Sequence, residues 1–191
     1  MSAGTRVSLA EARREAIVLV AALRPACQRI EIAGSIRRRR SDIGDIEILA
    51  VPTIDWTETG DLWGTNREID LLQETIDDLL ADGTLQPHPA DPKRGPRYAK
   101  FIHAGSGLQL DLFITTADQF GLLLLIRTGP AAYSQWLVTE ARRRGYHVAG
   151  GHLHRGGLGC GAYVCEAIPT PDEADVYAAL GLPFVEPGDR R

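Results

Sequence analysis

The sequence predicts an α+β fold, and three observations carry that prediction. Apolar residues hold helical spacing over residues 8–24, where Leu9, Ala12, Ala16, Leu19 and Leu23 share one face. Three short apolar runs, 29–33, 45–52 and 107–116, read as strands. Two more helical stretches, 118–129 and 131–144, precede short glycine-joined strands and a last helix.

Each element has a local signal. Ser8 and Glu11 form a capping box that starts the first helix, and Pro25 ends or kinks it. The strand 29–33 delivers a Gly34-Ser35 turn and four arginines, Arg37 to Arg40, before the strand that closes at Pro52. Residues 53–64 have no clear period. Their tryptophans, Trp56 and Trp63, are expected to pin an irregular loop onto the core rather than to stack on bases. Thr65 and Glu68 make a second capping box for a helix running through Ile69, Leu72, Ile76 and Leu79 to Gly83. Its acids Asp70, Glu74, Asp77 and Asp78 read as a solvated face. Residues 85–100 are rich in proline and base, as in a mobile template-contacting loop or a plain surface hairpin. Leu122 to Ile126 are continuously apolar and so expected to be buried, and Tyr133, Trp136, Leu137 and Ala141 mark the buried side of the next helix. Residues 146–165 read as two or three short strands, and Thr170 and Glu173 cap a last helix ending at Gly181. His152, His154 and Cys160 lack the spacing of a zinc site.

The chemistry gathers in residues 32–52. Asp45 and Glu47 alternate with Ile46 and Ile48, so in a strand both acids share one face, roughly 7 Å apart, while the isoleucines enter the core. Paired acids resist desolvation and repel each other unless cations lie between them. Mg²⁺, which takes carboxylate and phosphate oxygens together, suits such a place. The Gly34-Ser35 turn offers close backbone approach, a hydroxyl and exposed N–H groups to a phosphate. Together these features read as a triphosphate held over a metal pair.

The run Gly34-Ser35-Ile36-Arg37-Arg38 followed by Asp42-Ile43-Gly44-Asp45-Ile46-Glu47 resembles the nucleotidyltransferase signature of the family X DNA polymerases, the polymerase beta group. Phe120-Gly121, the apolar run into Thr128-Gly129, and the ending from Pro169 extend the resemblance from about residue 10 to the end. It implies a palm with a mixed sheet flanked by helices over 1–125, and a small α/β thumb over 126–191. It also implies a third acid on a neighbouring strand. Asp111, between Leu110 and Leu112, is the residue that answers. Carried over, Asp45, Glu47 and Asp111 are the catalytic metal ligands for two Mg²⁺ ions, with Mn²⁺ as a substitute. Gly34, Ser35, Arg38 and Gly44 hold the triphosphate, and Thr128, Gly129 and Ser134 line the sugar and base. The implied reaction adds nucleotides to a primer 3′-hydroxyl at gaps, as in DNA repair, and releases pyrophosphate. Its partners are primer-template or gapped DNA and a dNTP, or an NTP. A chain that starts one helix before the turn suggests a minimal palm-plus-thumb monomer without lyase chemistry.

Five positions depart from the family. Glu47 stands where the polymerases usually have Asp, and Gln109 where polymerase beta has an arginine. Ile126-Arg127 replace two aromatics that exclude a ribose 2′-hydroxyl, and Val138 replaces a minor-groove arginine. These keep open a template-independent transfer to RNA, a small molecule or a protein hydroxyl. A non-catalytic nucleotide- or DNA-binding module is the third reading, disfavoured because all three acids are present. The net charge of −4 argues for weak, distributive binding to nucleic acid, with positive charge at 37–40, 93–100 and 142–144. No apolar run approaches a membrane span, no signal-peptide core is present, and Cys27, Cys160 and Cys165 read as reduced thiols of a cytoplasmic protein.

Overall fold

Ser8 starts the first helix as its capping pattern predicts: its hydroxyl accepts the Glu11 N–H at 3.3 Å in the computed structural model. The structure describes residues 5–58, 66–156 and 165–191; expectations resting on Trp63, Thr65 and Cys160 lie outside these residues. The first elements are β1 (Val7–Ser8), α1 (Leu9–Leu23), β2 (Cys27–Ile32), α2 (Gly34–Arg37), β3 (Asp42–Ile43) and β4 (Asp45–Pro52). Next come a hairpin of β5 (Ile54–Glu58) and β6 (Asn66–Asp70), then α3 (Leu71–Ala81), β7 (Leu85–Pro87), β8 (Lys93–Arg94), β9 (Tyr98–His103) and β10 (Gln109–Ile114). The last part holds α4 (Phe120–Thr128), α5 (Ala131–Arg143), β11 (Tyr146–Ala149), β12 (His152–Arg155), β13 (Ala167–Ile168) and α6 (Glu173–Leu180).

The central sheet is mixed. Its strands run β2-β4-β10-β9-β7, with β8 also paired to β9, and only β4 and β10 are parallel. One face of β4 and β10, with Ile46, Ile48, Leu110 and Leu112 fully buried, packs on Ala12, Ala16, Leu19 and Leu23 of α1 and on Leu72 and Ile76 of α3. The opposite face of β4 is divided along its length. Leu49 and Val51 form a core with Phe120 and Leu124 of α4, whereas Asp45 and Glu47 occupy the other end, only half-buried. From the same helix, Leu122 and Leu125 enter a separate core with Tyr133, Leu137, Leu153, Val176 and Tyr177. So α4 packs on the sheet and on the C-terminal lobe at once, and it fixes their mutual placement.

The structure corrects several expectations. The helix predicted from residue 65 begins at Leu71, because residues 66–70 pair with 54–58 as a strand. Asp70, expected on a solvated face, is its cap and accepts the N–H groups of Leu72 and Gln73 at 3.0 and 3.1 Å. Cross-strand pairing over five residues outweighs a local capping pattern. Trp56 is 61% exposed and pins nothing, and Trp136, 41% exposed, lies against Tyr133 at the edge of the core instead of inside it. Asp172, not Thr170, caps α6; its N–H is bonded by Asp175, while Thr170 is buried and ties its N–H to the Asp118 carbonyl at 2.7 Å. Cys27 is a free thiol, but Cys165 is disulfide-bonded. The basic loop is a surface hairpin whose charge is largely met: Asp91 pairs with Lys93 and Lys100, and Asp77 with Arg94. Among the described residues, no helix is long and apolar enough to cross a membrane.

Candidate active site

The parallel register sets Glu47 directly beside Asp111 and Asp45 beside Gln109, so the three acids found in sequence share one patch of the sheet. Burial, then the negative charges of Asp45 and Asp111, push the Glu47 carboxyl up to about 7. Burial and Asp111 likewise raise Asp45, against the opposing pull of Arg38 and Arg6. Asp111 accepts two hydrogen bonds, from the Tyr98 hydroxyl to Oδ1 at 2.6 Å and from Gln109 Nε2 to Oδ2 at 2.9 Å. Burial and that bond raise the Tyr98 pKa, so its hydroxyl remains a donor at neutral pH.

The Gly34-Ser35 turn leads from β2 into the one-turn helix α2 and faces these acids. Gly34 has φ +60°, and a Cβ there would come within 1.6 Å of Glu47 Oε2. Only glycine permits the turn and the carboxylate to meet this closely. The Ser35 hydroxyl is buried without a partner, and so is Arg38 Nε, while Arg38 Nη1 donates to the Thr128 carbonyl. Unpaired buried polar atoms are costly and call for an explanation. Here a hydroxyl and a guanidinium N–H wait beside a glycine turn, which suits an anion such as a phosphate. Gly44 lies on the same side, next to Arg6, whose Nη1 would sit 3.3 Å from a Cβ at that position. Arg6 also pairs with Asp42 at 2.6 Å. No sequence pattern singled it out; only the pairing of β1 with β3 brings it there. Gly129 and Ser134 adjoin one another after α4, and the Ser134 hydroxyl donates to the Ile126 carbonyl at 2.8 Å.

The donor set fits a divalent cation. Three hard carboxylates lie side by side, and at Glu47 the pull of Arg38 and Arg127 does not offset burial and the two neighbouring acids, a setting that Mg²⁺ stabilises. Among the described residues, no three His, Cys, Asp or Glu side chains already converge as a finished metal cage. Mg²⁺ characteristically completes its sphere with water and substrate phosphate, so an open arrangement is compatible with it.

The four arginines divide sharply. Arg38 turns toward the acids, but Arg37 turns away: it donates twice to Glu173 at 2.7 and 2.8 Å and once to Thr128 Oγ1 at 2.9 Å. Glu173 is also held by Arg190, at 2.7 and 3.1 Å, and Arg190 is completely buried. This buried Arg–Glu–Arg triad joins α2 to the C-terminal lobe. The sequence offered Arg37 as one of a basic run and gave no sign that Arg190 is buried. His152, weighed for zinc, accepts from Gln119 Nε2 at 3.1 Å and pairs with Asp118 at 2.9 Å.

An acid-bearing mixed sheet with a glycine-serine turn, joined through one helix to a helical lobe with a small sheet, is the frame of a polymerase-type palm and thumb. Residues 123–191 match the family model described as DNA polymerase beta thumb. The chain is also similar to DNA polymerase lambda of Rattus norvegicus, 24% identical over 168 residues. That match covers 82% of this chain and 28% of the relative, so the chain spans little more than a quarter of the relative's length. Through these two matches the chain is similar to the family X DNA polymerases.

Proposed function

We propose that the protein is a metal-dependent nucleotidyltransferase that adds deoxynucleotides to a primer 3′-hydroxyl at gaps in DNA. One observation carries the reading: Asp45, Glu47 and Asp111 meet on one sheet face beside a Gly34-Ser35 turn whose serine hydroxyl lacks a partner. The turn takes the triphosphate: backbone N–H groups at Gly34 and Ser35, the Ser35 hydroxyl and the Arg38 guanidinium donate to its oxygens, and Gly44 lets them approach. Asp45, Glu47 and Asp111 hold two Mg²⁺ ions, which when bound neutralise the acids and lower the pKa of the attacking hydroxyl. Asp111 stands on the strand next to the other two acids and takes up or relays the proton of that hydroxyl. Thr128 and Gly129 line the sugar and base, and the bond from Arg38 to the Thr128 carbonyl supports this reading by tying them to the triphosphate turn. Positioning and charge supply most of the catalysis, as in other phosphoryl transfers.

Extension of a labelled primer tests this directly. One-nucleotide-gapped, recessed and single-stranded DNA would be compared with dNTPs or NTPs, in Mg²⁺ or Mn²⁺. Templated addition that prefers the gap is the expected outcome. Nucleotide binding without extension of any DNA would instead favour transfer to RNA, a small molecule or a protein hydroxyl. Sugar preference reads out the Ile126-Arg127 pair, where Arg127 lies over the Phe113 ring at 4.0 Å instead of an aromatic standing against the sugar.

A further inference from the structure

Asp111 owes its orientation to a layer of side chains that the proposed chemistry does not use. Along β10, Gln109, Asp111 and Phe113 share the half-buried face. Gln109 reaches forward to one carboxylate oxygen, and Tyr98, from the adjacent strand β9, reaches the other. Tyr98 is itself clamped. Its register partner is Phe113, the two rings stack with centroids 5.1 Å apart and planes 25° from parallel, and the Arg127 guanidinium lies over the Phe113 ring at 4.0 Å. The cation nearest in register, Lys100 opposite Asp111, is drawn off by Asp91 at 2.9 Å. Among the described residues the carboxylate is therefore steered by two neutral donors and by no direct ion pair.

We infer that Tyr98 is a positioning residue for Asp111. Its hydroxyl fixes the rotamer in which that carboxylate lies beside Glu47, and the Phe113–Arg127 stack fixes the hydroxyl. Neutral donors suit this task. They orient the acid without neutralising it, so it keeps its charge for a cation and its capacity for a proton. An arginine at residue 109 would supply both orientation and charge. With glutamine there, a second neutral donor makes up the orientation. The inference rests on the reading of Asp111 as an acid of the nucleotidyl-transfer site.

Tyr98→Phe removes one oxygen and keeps the stacked ring. Its expected effect is a fall in kcat of roughly ten- to hundredfold, the loss of one hydrogen bond to a charged group. KM for the nucleotide stays within about threefold, because Gly34, Ser35 and Arg38 are untouched. Without turnover, Mn²⁺ titrated onto the nucleotide-free protein by calorimetry should bind severalfold more weakly to Tyr98→Phe than to wild type. Asp111→Asn separates the two claims. Should Asp111→Asn retain activity, the site reading itself fails. Should Asp111→Asn be inactive while Tyr98→Phe keeps wild-type kcat and Mn²⁺ affinity, only the role of Tyr98 is overturned. In Tyr98→Phe/Asp111→Asn, residual activity no lower than that of Asp111→Asn supports the inference, because both changes then act through one group; a further drop of tenfold or more overturns it.

Discussion

Glu47, half-buried, and Glu173, buried, both lie near the junction of sheet and C-terminal lobe, and their carboxyls are driven in opposite directions. Burial raises each. At Glu47 the neighbouring acids add to burial and carry it to about 7. At Glu173 the bonds from Arg37 and Arg190 outweigh burial and hold the carboxyl below its ordinary value. One carboxylate is saturated by four guanidinium hydrogen bonds; the other faces two more acids, with Arg38 as a partial counterweight. The carboxylate at Glu173 is neutralised by the fold itself, whereas the one at Glu47 is left for the proposed cation to neutralise.

That contrast is broken most directly at its two ends. Asp45→Ala should abolish nucleotide incorporation, a loss on the order of a thousandfold or more, while unfolding in urea stays within about 1 kcal/mol of wild type. Glu173→Ala should do the reverse and lower stability by about 3–5 kcal/mol, because it leaves the buried Arg190 and half of Arg37 uncompensated. If Glu173→Ala unfolds no more readily than wild type, the triad is not structural.

The next effect is a dependence on pH. A carboxyl whose folded pKa lies above its unfolded value favours the fold when protonated. For Glu47, between about 7 folded and the ordinary 4.5, stability without metal should rise as pH falls through that window. Measured by Tm in EDTA, the protein should be more stable at pH 5.5 than at pH 7.5. Saturating Mg²⁺ should flatten the difference, and Glu47→Gln should remove it. Glu173 has the opposite sign: its contribution is full above 4.5 and lost only below, as pH falls through its lowered folded value. A Tm in EDTA that rises from pH 5.5 to 7.5 would contradict the assignment at Glu47.

How far these two sites were legible in the sequence differs for a physical reason. Asp45, Glu47 and the glycine turn are neighbours in the chain and announce themselves by strand alternation, and Asp111 followed once a third acid was sought. The triad gathers residues 37, 173 and 190, and nothing local at Arg190 signals burial. Only the packing of α6 and of the C-terminal residues against α2 creates it. The same limit hid Tyr98 and Arg6, whose roles depend on register across strands. Period and caps revealed α1, yet they misplaced the start of α3, because the β5–β6 hairpin competes for the same residues.

The arginine run that separates the two glutamates offers the finest test. For Arg37 to reach Glu173 while Arg38 turns to Thr128, α2 must stop after one turn. It does so with Arg39 at φ +57°, the one non-glycine residue with positive φ among those described. The Arg39 N–H returns to the Ile36 carbonyl at 3.0 Å and the Arg40 N–H to the Ser35 carbonyl at 3.1 Å, a left-handed helix end of the kind glycine favours. Arg39→Gly should relieve about 1 kcal/mol of backbone strain. Against that, glycine gives the unfolded chain more freedom, about 0.4–1 kcal/mol. The net change in urea unfolding should therefore be small, within about 0.5 kcal/mol. Arg37→Ala, by contrast, removes a partner of Glu173 and should cost about 2–3 kcal/mol. A large destabilisation by Arg39→Gly would mean that its guanidinium, which makes no ion pair among the described residues, contributes to the fold in a way its backbone does not reveal.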